Sequence, residues 1–214
     1  MRWIEEAGLI AVVRLSDLSR AVELGQALVD GGVHVLEFTY TNRDAGNAIE
    51  RVRRELGDRC HVGAGTVLDA ETARLAMIAG AEFIVTPTSR PETIEICRRY
   101  SIPSIIGAFT ETEILTAWER GADFIKVNPA GVAGPAYFKD ILGPLPQIRL
   151  IPSGGVTLDT GPAFLAAGAV ALAVGGDMID RAAVASGDWT AVTRRARAFA
   201  DMVARAGRDV AGSA

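Results

Sequence analysis

Two charged side chains stand inside apolar runs of this chain, and both are of kinds that act on carbonyl compounds. Lys126 lies in Phe124-Ile125-Lys126-Val127, closed by Asn128-Pro129, and Glu37 lies in Val33-His34-Val35-Leu36-Glu37-Phe38-Thr39. Taking an amine out of water favours its neutral form, and a neutral amine attacks carbonyl carbon. A carboxyl group facing the same cavity would carry protons for that amine. Plainer readings stay open. Lys126 would snorkel from a strand end to water or pair with a carboxylate, the two would form a structural ion pair, or Glu37 would point outward to a helix.

Other short motifs could complete such a site. In Gly63-Ala64-Gly65-Thr66 the glycines let backbone approach a ligand and the Thr66 hydroxyl can donate to a carboxylate. Ser153-Gly154-Gly155 and Gly175-Gly176 are turns whose N–H groups could hold an anion. Tight turning alone is the alternative for both. Asp177 follows the second pair directly, where it would either cap a short helix or repel a phosphate dianion. A strand-end amine, a carboxylate, a hydroxyl and an anion cradle fit Schiff-base chemistry on a 2-keto acid. The amine forms an iminium that withdraws electrons from the adjacent carbon–carbon bond.

The elements that must position these residues show as a recurring unit: a short apolar run, a turn, then an amphipathic segment ending in Gly. The runs are Leu9–Val13, Val33–Phe38, His61–Ala64, Glu82–Val85, Pro103–Ile106, Phe124–Val127, Arg149–Ile151 and Val170–Val174. Their spacing of roughly 20 to 25 residues is that of βα repeats, and near-continuous apolar runs suit parallel strands covered on both faces. Helical period marks the intervening segments. Ala21, Leu24, Ala27 and Leu28 share a face closed by Gly31-Gly32, and Thr110 with Glu113 forms a capping box. A short N-terminal helix precedes the first run. Trp189, Val192, Ala196, Phe199 and Val203 define a long last helix whose arginines Arg194, Arg195 and Arg197 form a solvated face, and the tail after Gly207 should fray.

This pattern predicts one α/β domain over residues 1–214, a (β/α)8 TIM barrel, with a doubly wound sheet as the alternative. In a barrel the chemistry sits at the carboxyl ends of the strands. That places Arg14, Glu37, Thr66, Pro87, Gly107, Lys126, Ser153, Gly154, Gly155, Gly175 and Gly176 at one mouth.

Bulk properties exclude several classes. The 214 residues are 49% hydrophobic and 22% charged, ordinary for a globular protein with a sizeable core. A net charge of -4 and a sequence pI of about 5.3 argue against nucleic acid as a partner. No run approaches the roughly 18 apolar residues of a membrane span, and the start of the chain lacks a signal-peptide layout. The expected location is cytoplasmic. Cys60 and Cys97 have no metal-ligand or disulfide spacing and read as buried small hydrophobes.

At these residues the chain resembles the class I aldolases that cleave 2-keto-3-deoxy-6-phosphogluconate (KDPG) and 4-hydroxy-2-oxoglutarate (KHG). The resemblance runs from Ile10-Ala11-Val12-Val13-Arg14 to the last helix. It rests on Gly31–Glu37, Gly63-Ala64-Gly65-Thr66-Val67, Ile84-Val85-Thr86-Pro87, Ile125-Lys126 with Pro129-Ala130, and Pro152-Ser153-Gly154-Gly155-Val156. It implies a (β/α)8 homotrimer that needs no metal and no cofactor and releases pyruvate and an aldehyde from a 2-keto-4-hydroxy acid. Lys126 matches the Schiff-base lysine and Glu37 the general acid/base. Thr66 matches the hydroxyl that seats the pyruvyl carboxylate. Gly154, Gly155 and Gly176 match positions that hold a distal anion, beside Ser153, where threonine is usual. Pro87 and Gly175 complete the implied binding set.

The chain also departs from the family. Thr41 stands where many members carry the carboxylate-binding arginine, so Arg14, or failing it Arg43, would supply that charge. Asn128 stands where phenylalanine is usual, Ile106 where proline is, and Asp177 where a serine is common. With Asp177 there, phosphate should contribute less than in other members. Two further readings remain: another phosphate-binding barrel isomerase or synthase with Lys126 as an electrostatic anchor, or a non-catalytic barrel.

Overall fold

The alternation of inward and outward side chains along each strand decides which residues reach the axis of this molecule. The computed structural model describes residues 2–211, with side chains through residue 207. Its strands are β1 (Leu9–Val13), β2 (Val35–Thr39), β3 (His61–Gly65), β4 (Ile84–Val85), β5 (Ser104–Ala108), β6 (Phe124–Val127), β7 (Leu150–Pro152) and β8 (Leu172–Val174). They form an 8-stranded sheet in the order β7-β6-β5-β4-β3-β2-β1-β8, each pair parallel. Its two ends meet. Val170 N–H donates to Leu150 O at 3.0 Å, and Ser153 bridges to Ala173 in parallel. The sheet is therefore a nearly closed (β/α)8 barrel, as the repeat predicts, and not a doubly wound sheet.

All eight predicted runs become strands, with ends displaced by a residue or two. One two-residue shift is in β2, which starts at Val35 rather than Val33. Val33 N–H is spent on Leu28 O at 3.0 Å, closing α2 (Ala21–Asp30) through the Gly31-Gly32 turn. The outer helices are α2, α3 (Ala45–Leu56), α4 (Ala70–Ile78), α5 (Pro91–Arg99), α6 (Glu111–Glu119), α7 (Ala130–Leu142), α8 (Gly161–Ala166), α9 (Arg181–Ser186) and α10 (Trp189–Ala211). The predicted capping box at Thr110 and Glu113 opens α6. The helix α10 continues to Ala211, beyond the expected fraying point at Gly207, and residues 212–214 lie outside the described residues.

One apolar layer lies between the strands and these helices, where Val13, Leu36, Phe38, Ile106 and Ile125 meet Leu24, Leu28, Ile49, Phe138 and Phe199. A second fills the barrel with Ile10, Val12, Val35, Phe83, Val85, Ile105, Phe124, Ile151 and Ala173. The short helix α1 (Arg2–Ala7) plugs the amino-terminal end. Ile4 is fully buried there, and Trp3 stacks on His61 at 3.9 Å between ring centroids. Two residues on from the inward layer, the alternation sends Arg14, Glu37, Pro87, Gly107, Lys126, Ser153 and Gly175 toward the other end of the same axis. The apolar floor and the polar mouth thus follow from one period.

Among the described residues no helix is long and apolar enough to cross a membrane. Cys60 and Cys97 are buried and unbonded. Burial, more than the nearby Glu82 or Asp123, pushes their thiols up to about 11 and about 12.

Candidate active site

Lys126 is 4% exposed and Glu37 is fully buried, both among inward-facing positions of the barrel. Space for them is made by neighbours without side chains. In the β2/β3 register Glu37 pairs with Gly63, and its carboxylate lies against the next inward residue, Gly65. A Cβ on Gly65 would stand 1.8 Å from Glu37 Oε1, and one on Gly63 would stand 2.5 Å from the Phe83 ring. Gly107 pairs with Lys126 across β5 and β6. A Cβ there would stand 2.2 Å from the carbonyl carbon of Pro87. The glycines read as permissive for a ligand serve first to admit Glu37, Phe83 and Pro87.

The Glu37 carboxylate is left without a partner. Neither oxygen takes a hydrogen bond, so the structural Glu37–Lys126 ion pair does not form, and Glu37 does not point outward to a helix. Burial raises its carboxyl above the ordinary value of 4.5, and the opposing pull comes from Lys126 first and Arg14 second. The result is a carboxyl group that favours holding its proton beside an amine.

A cavity of about 510 Å³ opens above this pair, lined by Lys126, Arg14, Thr66, Pro87, Ser153, Gly154, Gly155, Gly175 and Gly176. Every predicted site residue except Glu37 and Gly107 therefore faces one space, and Glu37 is fully buried. Arg14 Nη2 donates to Thr66 Oγ1 at 3.2 Å, which joins the predicted carboxylate-binding pair. Thr66 has φ of 56°, a left-handed conformation that a β-branched residue rarely adopts. Such strain tends to gather at ligand sites. Arg43 does not line the cavity. Thr41, at the place of the missing arginine, instead meets the Thr39 hydroxyl at 2.9 Å, and Thr39 itself reaches Val13 O at 3.2 Å.

The turn after β7 is bound to the start of α7: Ala130 N–H donates to Ser153 O at 2.8 Å and Gly131 N–H to Gly154 O at 2.7 Å. Gly154 and Gly155 have φ of 77° and 83°. A Cβ on Gly155 would stand 2.8 Å from Gly131 Cα, so this turn needs glycine on both counts. The N–H groups of Gly155 and Gly176 find no acceptor among the described residues, leaving donors that point to no internal partner, whereas Gly154 takes part in the bridge between Ser153 and Ala173. Among the described residues no group of three or more His, Cys, Asp or Glu side chains stands ready to hold a metal ion.

Sequence reasoning missed three features. Asp177 does not cap α9; Asp180 does, accepting from Ala182 N–H at 2.8 Å. Arg195 is not part of a purely solvated face but reaches back to Asp177, at 2.8 Å from Oδ2. The heptad-like spacing of α10 reports its buried stripe and is silent on where a flanking arginine leans. Arg181, which no motif marks, also lines the cavity; Asn128 lines it too, as its place two residues after Lys126 leads one to expect.

Known proteins resemble this chain throughout. The family described as KDPG and KHG aldolase matches residues 2–195. A 2-dehydro-3-deoxy-phosphogluconate aldolase of Treponema pallidum is 35% identical over 191 residues, 89% of this chain and 90% of that protein. One from Pseudomonas aeruginosa is 35% identical over 193 residues, 90% of this chain and 87% of that protein. Among solved structures, the KDPG aldolase of Legionella pneumophila, with pyruvate captured as a covalent carbinolamine intermediate, superposes with a TM-score of 0.86 at 27% identity, over 91% of this chain and 95% of that one.

Proposed function

Since the chain belongs to the KDPG and KHG aldolase family of carbon–carbon lyases, we propose that it cleaves a 2-keto-4-hydroxy acid reversibly to pyruvate and an aldehyde through a Schiff base on Lys126. Such an acid is 2-keto-3-deoxy-6-phosphogluconate or 4-hydroxy-2-oxoglutarate. The observation that carries this reading is the fully buried, unpartnered Glu37 carboxyl behind the amine-bearing mouth of the barrel.

In this mechanism Arg14 and Thr66 hold the substrate carboxylate, which sets the C2 carbonyl against Lys126 Nζ. The amine adds to C2, and the carbonyl oxygen becomes the hydroxyl of a carbinolamine. Glu37, whose carboxyl burial raises above its ordinary value, gives up a proton as that hydroxyl leaves as water. The iminium then accepts the electrons of the C3–C4 bond. The Glu37 carboxylate takes the C4 hydroxyl proton, and the aldehyde departs. The remaining enamine recovers a proton at C3 from Glu37. Water adds back at C2, releasing pyruvate and the free amine, so the water lost in imine formation is restored. Glu37 ends as it began.

Borohydride supplied with pyruvate is expected to leave a reduced pyruvyl group on Lys126, located by peptide mass mapping. Equal trapping in Lys126→Met would sink the Schiff-base assignment. An absence of trapping in the parent protein, with tight binding of sugar phosphates, would favour a barrel in which Lys126 only anchors an anion. A homotrimer in the cytoplasm belongs to the same reading, on the strength of family likeness, and sedimentation velocity tests the trimer.

A further inference from the structure

The far wall of the cavity comes from the turn after β8, where charge is not distributed as residue order suggests. Asp177 lines the cavity next to Gly176, yet one guanidinium holds it twice. Arg195 of α10 donates from Nη2 to Asp177 Oδ2 at 2.8 Å and from Nε to the Asp177 carbonyl oxygen at 2.7 Å. A carboxylate held in this way is oriented and its charge largely offset at close range. Arg181 is exposed, faces the same cavity, and makes no hydrogen bond or ion pair with the described residues. The far end thus offers a cation without a partner among the described residues and the unused N–H groups of Gly155 and Gly176, while Arg14 and Thr66 occupy the near end.

Resting on the Schiff-base reading of Lys126, we propose that Arg181 binds a phosphate monoester at the aldehyde end of the substrate, and that Arg195 is a positioning residue that keeps the Asp177 carboxylate from repelling it. A guanidinium with these backbone N–H groups suits a tetrahedral dianion better than it suits a neutral hydroxymethyl end. A substrate bearing a carboxylate at C1 and a phosphate at C6 would engage both ends of the cavity at once. This reverses the expectation that Asp177 diminishes the contribution of phosphate. The sequence places a carboxylate beside the anion cradle, and the fold supplies its counter-charge from a helix far along the chain.

The test compares kcat and KM for 2-keto-3-deoxy-6-phosphogluconate and its unphosphorylated counterpart across variants. Arg181→Gln should lower the phosphorylated-to-unphosphorylated ratio of kcat/KM about ten- to a hundred-fold, the range of one charge-assisted hydrogen bond, with the loss in KM. Arg195→Met should lower the same ratio by roughly three- to tenfold, more at low salt. Adding Asp177→Asn to Arg195→Met should restore it, which a merely structural role for Arg195 would not allow. An unchanged ratio in Arg181→Gln, equal losses for both substrates, or no rescue by Asp177→Asn would overturn the inference. Borohydride trapping of pyruvate on the parent protein does not engage the far end. A trap that works beside an unchanged ratio therefore refutes this inference alone, and a trap that fails refutes the Schiff-base reading itself.

Discussion

Replacing Glu37 by Gln keeps the shape of the side chain and removes its titration, so it separates two effects of one carboxyl group. Glu37 is fully buried with both oxygens unbonded, and burial raises its carboxyl above 4.5 against the pull of Lys126 and Arg14. Between the unfolded and folded values the native protein therefore binds more protons than the unfolded chain. The associated stability is fully present below about pH 4.5 and is lost as pH rises through the higher, folded value. For one proton the loss is at most about 1.4 kcal/mol per pH unit. In a chain of 214 residues each kcal/mol moves Tm by about 2–4 °C. Gln does not titrate, so its own desolvation adds a constant and no slope. The difference in Tm, variant minus parent, should thus climb by up to about 3–6 °C per pH unit within the window.

Circular dichroism melts of both proteins between about pH 4.5 and 8 measure this slope, while an aldol-cleavage assay follows turnover. Loss of a general acid/base costs about 10²- to 10⁴-fold in rate, so the variant should gain stability relative to the parent as pH rises and be nearly inactive. A Tm difference flat with pH would refute the account of the burial. An unchanged rate would remove Glu37 from the chemistry whatever the melts show.

Four further outcomes follow from the structure. Gly65→Ala puts a methyl where Glu37 Oε1 now lies and should displace the carboxylate, costing turnover more than melting temperature. Gly107→Ala meets the Pro87 backbone, which cannot move aside, and should destabilise by about 1–3 kcal/mol, visible as a lower denaturant midpoint at unchanged slope. Thr66→Val keeps shape but removes the hydroxyl that Arg14 contacts; it should raise the pyruvate concentration needed for borohydride trapping, and equal trapping would clear Thr66 of a role at the carboxylate. Cys60 and Cys97, with thiols pushed up to about 11 and about 12, should resist a thiol reagent at pH near 8 in the native protein and react in full once it is unfolded.

What was legible in the sequence was whatever local pattern controls. Strands buried on both faces read as unbroken apolar runs, so β1 and β6 were placed to the residue. The period of two then carried Arg14, Lys126 and Ser153 to the mouth. Boundaries slipped where a helix end competed for backbone, as at Val33, whose N–H closes α2. The carboxyl-terminal wall was less legible. Arg195 and Asp177 are separated by α9 and a turn, and only the packing of α10 brings them to 2.8 Å. No periodicity encodes a contact of that kind. Asn128, by contrast, was legible as a polar residue beside Lys126, and it lines the cavity.

Two carboxylates at opposite ends of the barrel show why the mouth is where the chemistry is to be sought. Glu82, just before β4 at the amino-terminal end, accepts from Val62 N–H at 3.0 Å and Arg53 at 2.9 Å, with His61 at 3.2 Å. It is a carboxylate whose charge the fold has answered in full, in contact with solvent. Glu37, at the carboxyl-terminal end, lies deeper and is answered by nothing within hydrogen-bonding reach. Leaving a buried polar group unpaired costs on the order of 1–3 kcal/mol or more, and a carboxylate kept only for stability would be cheaper as an apolar side chain of its size. A barrel that merely bound an anion would have no use for that acid, since a carboxyl group near Arg14 and Lys126 weakens the field they offer. An aldolase has a use for it in each protonation state: as an acid when water leaves the carbinolamine and as a base when the C4 hydroxyl gives up its proton. The unsatisfied state of Glu37 therefore favours proton transfer over a purely structural or anion-binding role, because a transferred proton turns the missing partners into an advantage.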